Sequence, residues 1–349
     1  MELIFYKSKP LVSILITLFN QKNFYQRAIA SVINQSYENI EIIIGDDAST
    51  DGFNFNTPDQ GIHKNNIRYI RYNKNVGRHE NFRNLLFKES KGDLATILNA
   101  DDFFIGNDYI QKAVNIFLNN ENVSMVFGHT GVFLEDKNEI YYDKTLSFLP
   151  KIMKGNDLLL MNTKGVVIPH VSSIYNRNLA IKLDFYRFPY LSQDWEGLLR
   201  IIQGYNVGYV HTPVALYGRH HQNVSKTSEI EILIKSINYI DGPYQHALEL
   251  GQIPEKEIRS WYKKMRFRYL MKCYLKTSLR NQANKEKFIS TLKKSYPELY
   301  QELTSDIRFQ ILKLVKKSPF ILTFIFKYIL KQEGLIREFL HQNDERTTK

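Results

Sequence analysis

Along the first hundred residues, short β-branched runs end in polar clusters, and stretches with helical spacing separate them. Val12-Ser13-Ile14-Leu15-Ile16-Thr17, followed by Leu18-Phe19-Asn20, predicts a strand that opens onto a loop. Phe24, Ala28, Ile29, Val32 and Ile33 then recur at helical spacing, with Gln35-Ser36-Tyr37 as the helix exit. A second strand, Ile40-Glu41-Ile42-Ile43-Ile44, runs into Gly45-Asp46-Asp47-Ala48-Ser49-Thr50-Asp51-Gly52. A third strand is expected from Ile67 to Tyr72, a helix from Asn81 to Lys88, and a fourth strand ending at Asn99. Strand and helix alternating at this length predict an α/β fold, a doubly wound, mostly parallel sheet flanked by helices.

The fourth strand is the most telling, because Ala95-Thr96-Ile97-Leu98-Asn99-Ala100 ends in two adjacent carboxylates, Asp101 and Asp102. In open parallel sheets, ligands sit in the crevice beyond the carboxyl ends of the strands. Two hard oxygen donors there suit Mg²⁺ or Mn²⁺, ions that take their remaining ligands from substrate phosphates and water. A nucleotide diphosphate is the natural companion. The competing expectation is a solvated Asp-Asp turn that caps the next helix.

Composition fits a large enzyme: 349 residues, 43% of them hydrophobic, can fill a core and support two domains. Cys273 is the single cysteine, which excludes an internal disulfide and a CxxC zinc site and points to a reducing cytoplasm. Met1 to Pro10 is too short and too charged to read as a secretory signal. The net charge of +11 is unevenly spread. From Gly251 onward there are 22 lysines and arginines against 10 acidic residues, and before it 25 against 26. This basic tail reads as helical from Trp261 to Leu270 and again around Ile311 to Leu330. The apolar stretch Pro319 to Phe326 is bracketed by Lys316, Lys317 and Lys327 and is too short to span a bilayer, which needs ~20 apolar residues. Either the tail packs as a helical subdomain with solvated basic faces, or it binds an anionic membrane surface. Nucleic acid is not expected as a partner, since no nucleic-acid-reading motif accompanies the charge.

The ordered series Val-Ser-Ile-Leu-Ile-Thr-Leu-Phe-Asn, Gln-Ser-Tyr, Gly-Asp-Asp-Ala-Ser-Thr-Asp-Gly, Asn75-Val76-Gly77 with Arg83-Asn84, and Asn-Ala-Asp-Asp resembles the family 2 glycosyltransferases of the GT-A fold. The resemblance is close over roughly the first 130 residues and thinner to about Ser225. It implies a GT-A catalytic domain over residues 1–227, its nucleotide-sugar half at about 10–130 and its acceptor half at about 131–227, and a basic helical region over 228–349. Thr17 and Asn20 would lie in the first nucleotide-contacting loop. Asp47, with Asp46 beside it, would accept a hydrogen bond from the base of a nucleotide sugar, and Arg83, Asn99 and Asp101 would complete that side. Mn²⁺ or Mg²⁺ would be held by Asp101, assisted by Asp102 and His220. Asp51 reads instead as a turn former that bonds nearby amides.

Two positions depart from the family pattern. Asn99 stands where the metal motif begins with Asp, and Gln193 stands where Glu usually precedes the general base. That base is matched by Asp194 in Leu191-Ser192-Gln193-Asp194-Trp195-Glu196, ahead of an apolar helical pattern at Leu198, Leu199, Ile201 and Ile202. Asp194 also reads as a helix N-cap, and Glu196 is the fallback base. Tyr217-Gly218-Arg219-His220-His221 resembles the segment that closes these domains, with His221 competing for the role of His220, and with a packing histidine as the plainer expectation. Asp157, His170 and Asp184 receive no role. The resemblance thus implies inverting transfer of a sugar from a nucleotide diphosphate donor to a hydroxyl of a glycan or lipid-linked glycan. Surface polysaccharide synthesis, lipopolysaccharide or capsule, at the inner face of the cytoplasmic membrane is the expected setting. The alternatives are a non-catalytic nucleotide-sugar or glycan-binding module, suggested by Asn99 and Gln193, and a nucleotidyltransferase. The latter fits less well because no glycine-rich basic triphosphate loop lies near Asn20 to Arg27.

Overall fold

In the computed structural model, which describes residues 3–56, 58, 60–142, 146–220 and 229–314, the chain forms two compact units. Asp143, His221 to Ser225 and Pro319 to Phe326 lie outside the described residues. The first unit comprises Met1–Leu159 and Val167–Thr227, the second Leu160–Val166 and Ser228–Lys349.

The elements in chain order are β1 (Val12–Leu18), α1 (Tyr25–Ile33), β2 (Ile40–Asp46), β3 (Ile67–Arg71), α2 (Arg78–Arg83), β4 (Leu94–Asn99), β5 (Phe103–Phe104), α3 (Tyr109–Asn119), β6 (Val123–Leu134), β7 (Glu139–Tyr142), β8 (Ile152–Lys154), α4 (Gly155–Met161), β9 (Ile174–Asn176), α5 (Arg177–Lys182), α6 (Gln193–Ile201) and β10 (Asn206–Arg219). Every position of β1 is buried, because parallel strands flank it on both edges and helices cover its faces. The sheet runs β3-β2-β1-β4-β9-β6-β10-β5, with β7 on β6 and β8 on β10. The long ladders, β1 with β2, β1 with β4, β2 with β3 and β6 with β10, are parallel, and the antiparallel pairs are short.

From β1 the chain winds outward through β2 and β3, then returns to place β4 on the other side of β1. The carboxyl end of β1 is therefore the switch point where a crevice opens. Register aligns the motifs there: Thr17 lies opposite both Gly45 and Asn99, and Leu18 opposite Asp46. The expected helix from Asn81 begins earlier, at Arg78, and continues as a π-helical turn over Asn84–Glu89. It lies close against β2, where a Cβ on Gly45 would come within 2.4 Å of Asn81 Oδ1. Asn81 is buried, and its amide donates to the Gly45 carbonyl at 2.8 Å.

Helix α6 is seated by charge. Glu196 accepts from Arg200 at 2.7 Å and from Arg187 at 2.7 Å, with the Glu196 and Arg200 side chains only 1% and 5% exposed. Arg200 also donates to the carbonyls of Leu183 and Asp184. Glu196 is thus committed to the frame and is not a fallback base.

In the second unit the described helices are Ile230–Lys235, Asp241–Leu250, Glu255–Arg280, Gln282–Ser295, Pro297–Ser305 and Ile307–Leu314. Trp261, Leu270, Met271, Phe288, Leu292 and Phe309 are buried. Arg308 lies over the Phe267 ring, and Arg266 pairs with Asp241 and Glu302. Several aromatic and aliphatic residues that suggested an interfacial helix therefore pack inward. Cys273 is buried too, and burial pushes its thiol up to about 11. Among the described residues no helix is long and apolar enough to cross a membrane.

Removing one member of a buried ion cluster strands the others, at a cost of about 3–5 kcal/mol. Glu196→Ala is expected to lower the unfolding free energy measured by chemical denaturation by that order. A loss under about 1 kcal/mol, the scale of an exposed pair, would show that the cluster does not seat α6.

Candidate active site

Three polar clusters meet at the carboxyl edge of the sheet. In the first, the Asp46 carboxylate is fully buried and engaged. One oxygen accepts from the Ser49 amide and hydroxyl at 2.9 and 2.6 Å, the other from Tyr69 and Arg71 at 2.6 Å each. Burial and the bond to Asp46 push the Tyr69 phenol up to about 12. Asp47 is also buried, and its two oxygens accept the amides of Val76 and Gly77 at 2.6 and 2.9 Å. The left-handed residue Ala48 (φ 57°) turns the chain between Asp47 and Ser49. Asn20, itself left-handed at φ 53°, donates its amide to Ser49 Oγ at 3.0 Å, while its side chain accepts from the Thr50 amide at 2.7 Å. Asp51 accepts from the amides of Lys22 and Phe53, as a turn former should.

The second cluster starts from Thr17, whose hydroxyl donates to Asn99 Oδ1 at 3.2 Å; Asn99 Nδ2 in turn donates to Asp102 at 2.9 Å. Strand β5 pairs Phe103 with Leu216 of β10, so two residues back along one strand and two forward along the other, Asp101 meets Gly218. The approach is close: a Cβ on Gly218 would fall 2.1 Å from the Asp101 carbonyl oxygen. Asp102 accepts the Gly218 amide at 3.0 Å, and His220 Nε2 stands 3.1 Å from Asp101 Oδ2. Burial, followed by the Asp101 charge, pushes the Asp102 carboxyl well above the usual carboxylate range. His220 is buried and stacked on Phe24 with ring centroids 4.3 Å apart. It packs as the plainer expectation had it, and it also faces Asp101. The Asp-Asp turn does not cap α3, whose N-cap position is Asp108.

The third cluster surrounds Asp194. Ser192, not Asp194, occupies the N-cap position of α6, and Asp194 lies in the first turn. Its carboxylate is 4.0 Å from His170 Nδ1, and His170 Nε2 is 2.9 Å from the Tyr186 hydroxyl. Gln193 is buried, without a partner for its side-chain oxygen among the described residues. Arg83 bonds Asp184 at 2.7 Å and the Phe185 carbonyl at 2.9 Å, so it holds the loop that carries Tyr186.

Arg78 joins the second and third clusters. It donates to the Leu191 carbonyl ahead of α6, and its charge acts on His170, Tyr186 and Tyr217; Tyr217 also feels Asp101 and Asp102. Sequence reasoning missed Arg78, His170 and Tyr186. Arg78 follows the Asn75-Val76-Gly77 motif directly, a usable signal; the other two carry none, being single residues outside any motif.

Comparison with known proteins follows the same lines. Residues 13–183 match the sequence model of glycosyl transferase family 2. A Haemophilus influenzae protein named as an uncharacterized glycosyltransferase is 31% identical over 182 residues, 50% of this chain and 71% of that protein. A Rickettsia felis protein of the same name is 33% identical, but the chain spans only 30% of its length. The Escherichia coli UDP-Glc:α-D-GlcNAc-diphosphoundecaprenol β-1,3-glucosyltransferase WfgD is 25% identical over 202 residues, 58% of this chain and 73% of WfgD. The crystal structure of S. aureus TarS 1–349 superposes with a TM-score of 0.55 at 13% identity, covering 84% of this chain and 83% of TarS, which shows a shared GT-A fold. With 31% identity across 71% of the Haemophilus influenzae glycosyltransferase, and residues 13–183 matching the family model, the chain belongs to glycosyltransferase family 2.

Proposed function

We propose that the protein is an inverting glycosyltransferase that moves a sugar from a nucleotide diphosphate donor to a hydroxyl of a glycan or lipid-linked glycan during bacterial surface polysaccharide synthesis. The observation that carries this reading is the register at the switch point, which lines up Thr17, Asp46 and Asn99 and leads on to Asp47 and the facing pair Asp101 and His220. The name of WfgD, whose acceptor is a diphosphoundecaprenol-linked sugar, supports a lipid-linked acceptor. The catalytic domain in this reading is residues 1–227. The basic region from 228 onward draws it to the anionic inner face of the cytoplasmic membrane.

Each oxygen of Asp47 receives one backbone amide and keeps a lone pair, so the carboxylate can also accept from a ring N–H of the donor base. Asp46, Asn20 and Arg83 act one step back, by fixing the loops around it. Asp101 and His220 offer one carboxylate oxygen and one imidazole nitrogen to a divalent ion. Among the described residues no group of three or more acidic, His or Cys side chains is arranged to hold a metal. The donor set therefore fits an ion that completes its shell with diphosphate oxygens and water, and the imidazole favours Mn²⁺ over Mg²⁺. Such an ion, when bound, offsets the charge of the departing nucleotide diphosphate. Asp102, turned onto Asn99 and Gly218, holds the Asp101 turn in place. Asp194 removes the proton of the acceptor hydroxyl as that oxygen attacks the anomeric carbon in a single displacement. Inversion follows the family.

Asp194→Asn is expected to lower turnover ~10²–10⁴-fold, the contribution of a positioned base, with donor affinity by calorimetry unchanged. A non-catalytic binding module would give no turnover to lose. In a panel of UDP-, GDP- and dTDP-sugars with acceptor, a chelator is expected to abolish nucleotide diphosphate release, and Mn²⁺ to restore it. Asp101→Ala is expected to raise the Mn²⁺ concentration needed by 10-fold or more, about 1.4 kcal/mol of lost binding. Chelator-insensitive release would remove the ion from the reading.

A further inference from the structure

We propose that His170 is a positioning residue for the base: its Nδ1–H donates to Asp194, in a tautomer fixed by the hydroxyl of Tyr186. This rests on the reading of Asp194 as the general base.

The buried hydroxyls determine the direction of the protons. Tyr175 and Tyr186 are buried, and their oxygens lie 3.2 Å apart; Tyr186 reaches His170 Nε2 at 2.9 Å. Among the described residues the Tyr175 hydroxyl has Tyr186 as its one hydrogen-bond partner. If His170 carried its proton on Nε2, it would donate to Tyr186, Tyr186 would donate to Tyr175, and the Tyr175 proton would be buried without an acceptor. The Nδ1 lone pair would then face the Asp194 carboxylate. Both ends are unfavourable. In the opposite order Tyr175 donates to Tyr186, Tyr186 donates to Nε2, and the imidazole presents Nδ1–H to Asp194. Both hydroxyl protons then have an acceptor, and Nδ1–H faces the Asp194 carboxylate rather than a lone pair facing it.

The separation of 4.0 Å between Nδ1 and Asp194 Oδ2 is longer than a hydrogen bond. Catalytic hydrogen bonds are commonly long before substrate binds and shorten in the complex. The frame is built for this aim. Tyr186 adopts a left-handed backbone (φ 57°), a conformation a bulky residue keeps only when its surroundings impose it. Arg83 and Arg200 impose it by clamping Leu183, Asp184 and Phe185. Phe82 stacks on the His170 ring, with centroids 5.9 Å apart and planes 25° apart.

The surroundings keep the imidazole neutral. Burial, chiefly, lowers its pKa below the ordinary value, with the charge of Arg78 adding to this and Asp194 opposing it. Other titratable or charged groups nearby are Tyr175 and Tyr186, both pushed upward by burial, and Glu196, neutralised by Arg187 and Arg200. Neither phenol changes charge near neutral pH, so a donor from His170 favours the ionised base across the working range.

Nitrogen-15 NMR of the full chain with labelled histidine reads the tautomer directly, with His170 assigned by its loss in His170→Asn. The expected result is a neutral ring protonated on Nδ1 around neutral pH, shifting toward the Nε2–H form in Tyr186→Phe. An Nε2–H ring in the wild-type protein overturns the proposal. In kinetics, His170→Phe is expected to move the acid limb of kcat upward by about one pH unit, and His170→Asn, whose amide can replace Nδ1–H, to return it. If Asp194→Asn loses turnover while His170→Phe keeps the wild-type acid limb, this inference alone fails. If Asp194→Asn retains turnover, the base assignment fails instead, whatever the tautomer.

Discussion

The whole site depends on β1 being held between two parallel neighbours. A strand buried on both faces can slip by one residue only by turning its whole apolar set around, so its register is strongly specified. That register places Thr17 opposite Gly45 and Asn99, and Leu18 opposite Asp46, at a sheet edge where residues more than 80 positions apart must meet. The apolar runs Val12–Leu18, Ile40–Ile44 and Leu94–Leu98 thus have a chemical consequence as well as a packing one. They fix the relative height of the polar groups that follow them.

Much of the polar chemistry near this edge serves the protein itself. Asp46 satisfies four donors, Asn20 ties two loops, Arg83 and Arg200 clamp one loop, and Asp102 fastens the end of β4 to the end of β10. A buried carboxylate without such partners would pay a large desolvation penalty, so each acidic residue at the edge must be either framed or exposed to a ligand. The division is visible within each Asp-Asp pair. Asp46 and Asp102 turn inward onto several donors, while Asp47 keeps lone pairs in reserve and Asp101 faces His220.

The strands and helices of the nucleotide half were legible because buried parallel strands and amphipathic helices carry strong periodic signals, and the structure follows them at β1, α1, β2, β3 and β4. The start of α2 was missed by three residues, since Gly77 at φ 88° ends the loop and Arg78-His79-Glu80 has no apolar face to announce a helix. Which of two neighbouring carboxylates faces inward was not legible either, because the donors that decide it, Gly218 for Asp102 and Arg71 for Asp46, come from strands far along the chain. The same holds for Glu196. Its neighbours in sequence suggested a helix start, whereas Arg187 and Arg200 make it an anchor.

Asn99 bears on whether this site can work at all. As a departure from an acidic motif it suggested a degenerate site, yet its amide is used at both ends: the oxygen accepts from Thr17 and the nitrogen donates to Asp102. An Asp at position 99 could accept from Thr17 but would set a carboxylate against the buried carboxyl of Asp102, which burial and Asp101 already push upward. The neutral amide relieves that conflict and leaves Asp101 as the carboxylate that faces His220. Through these partners Asn99 belongs to the frame that holds the turn of Asp101 and Asp102, so an amide at this position has a structural reason of its own.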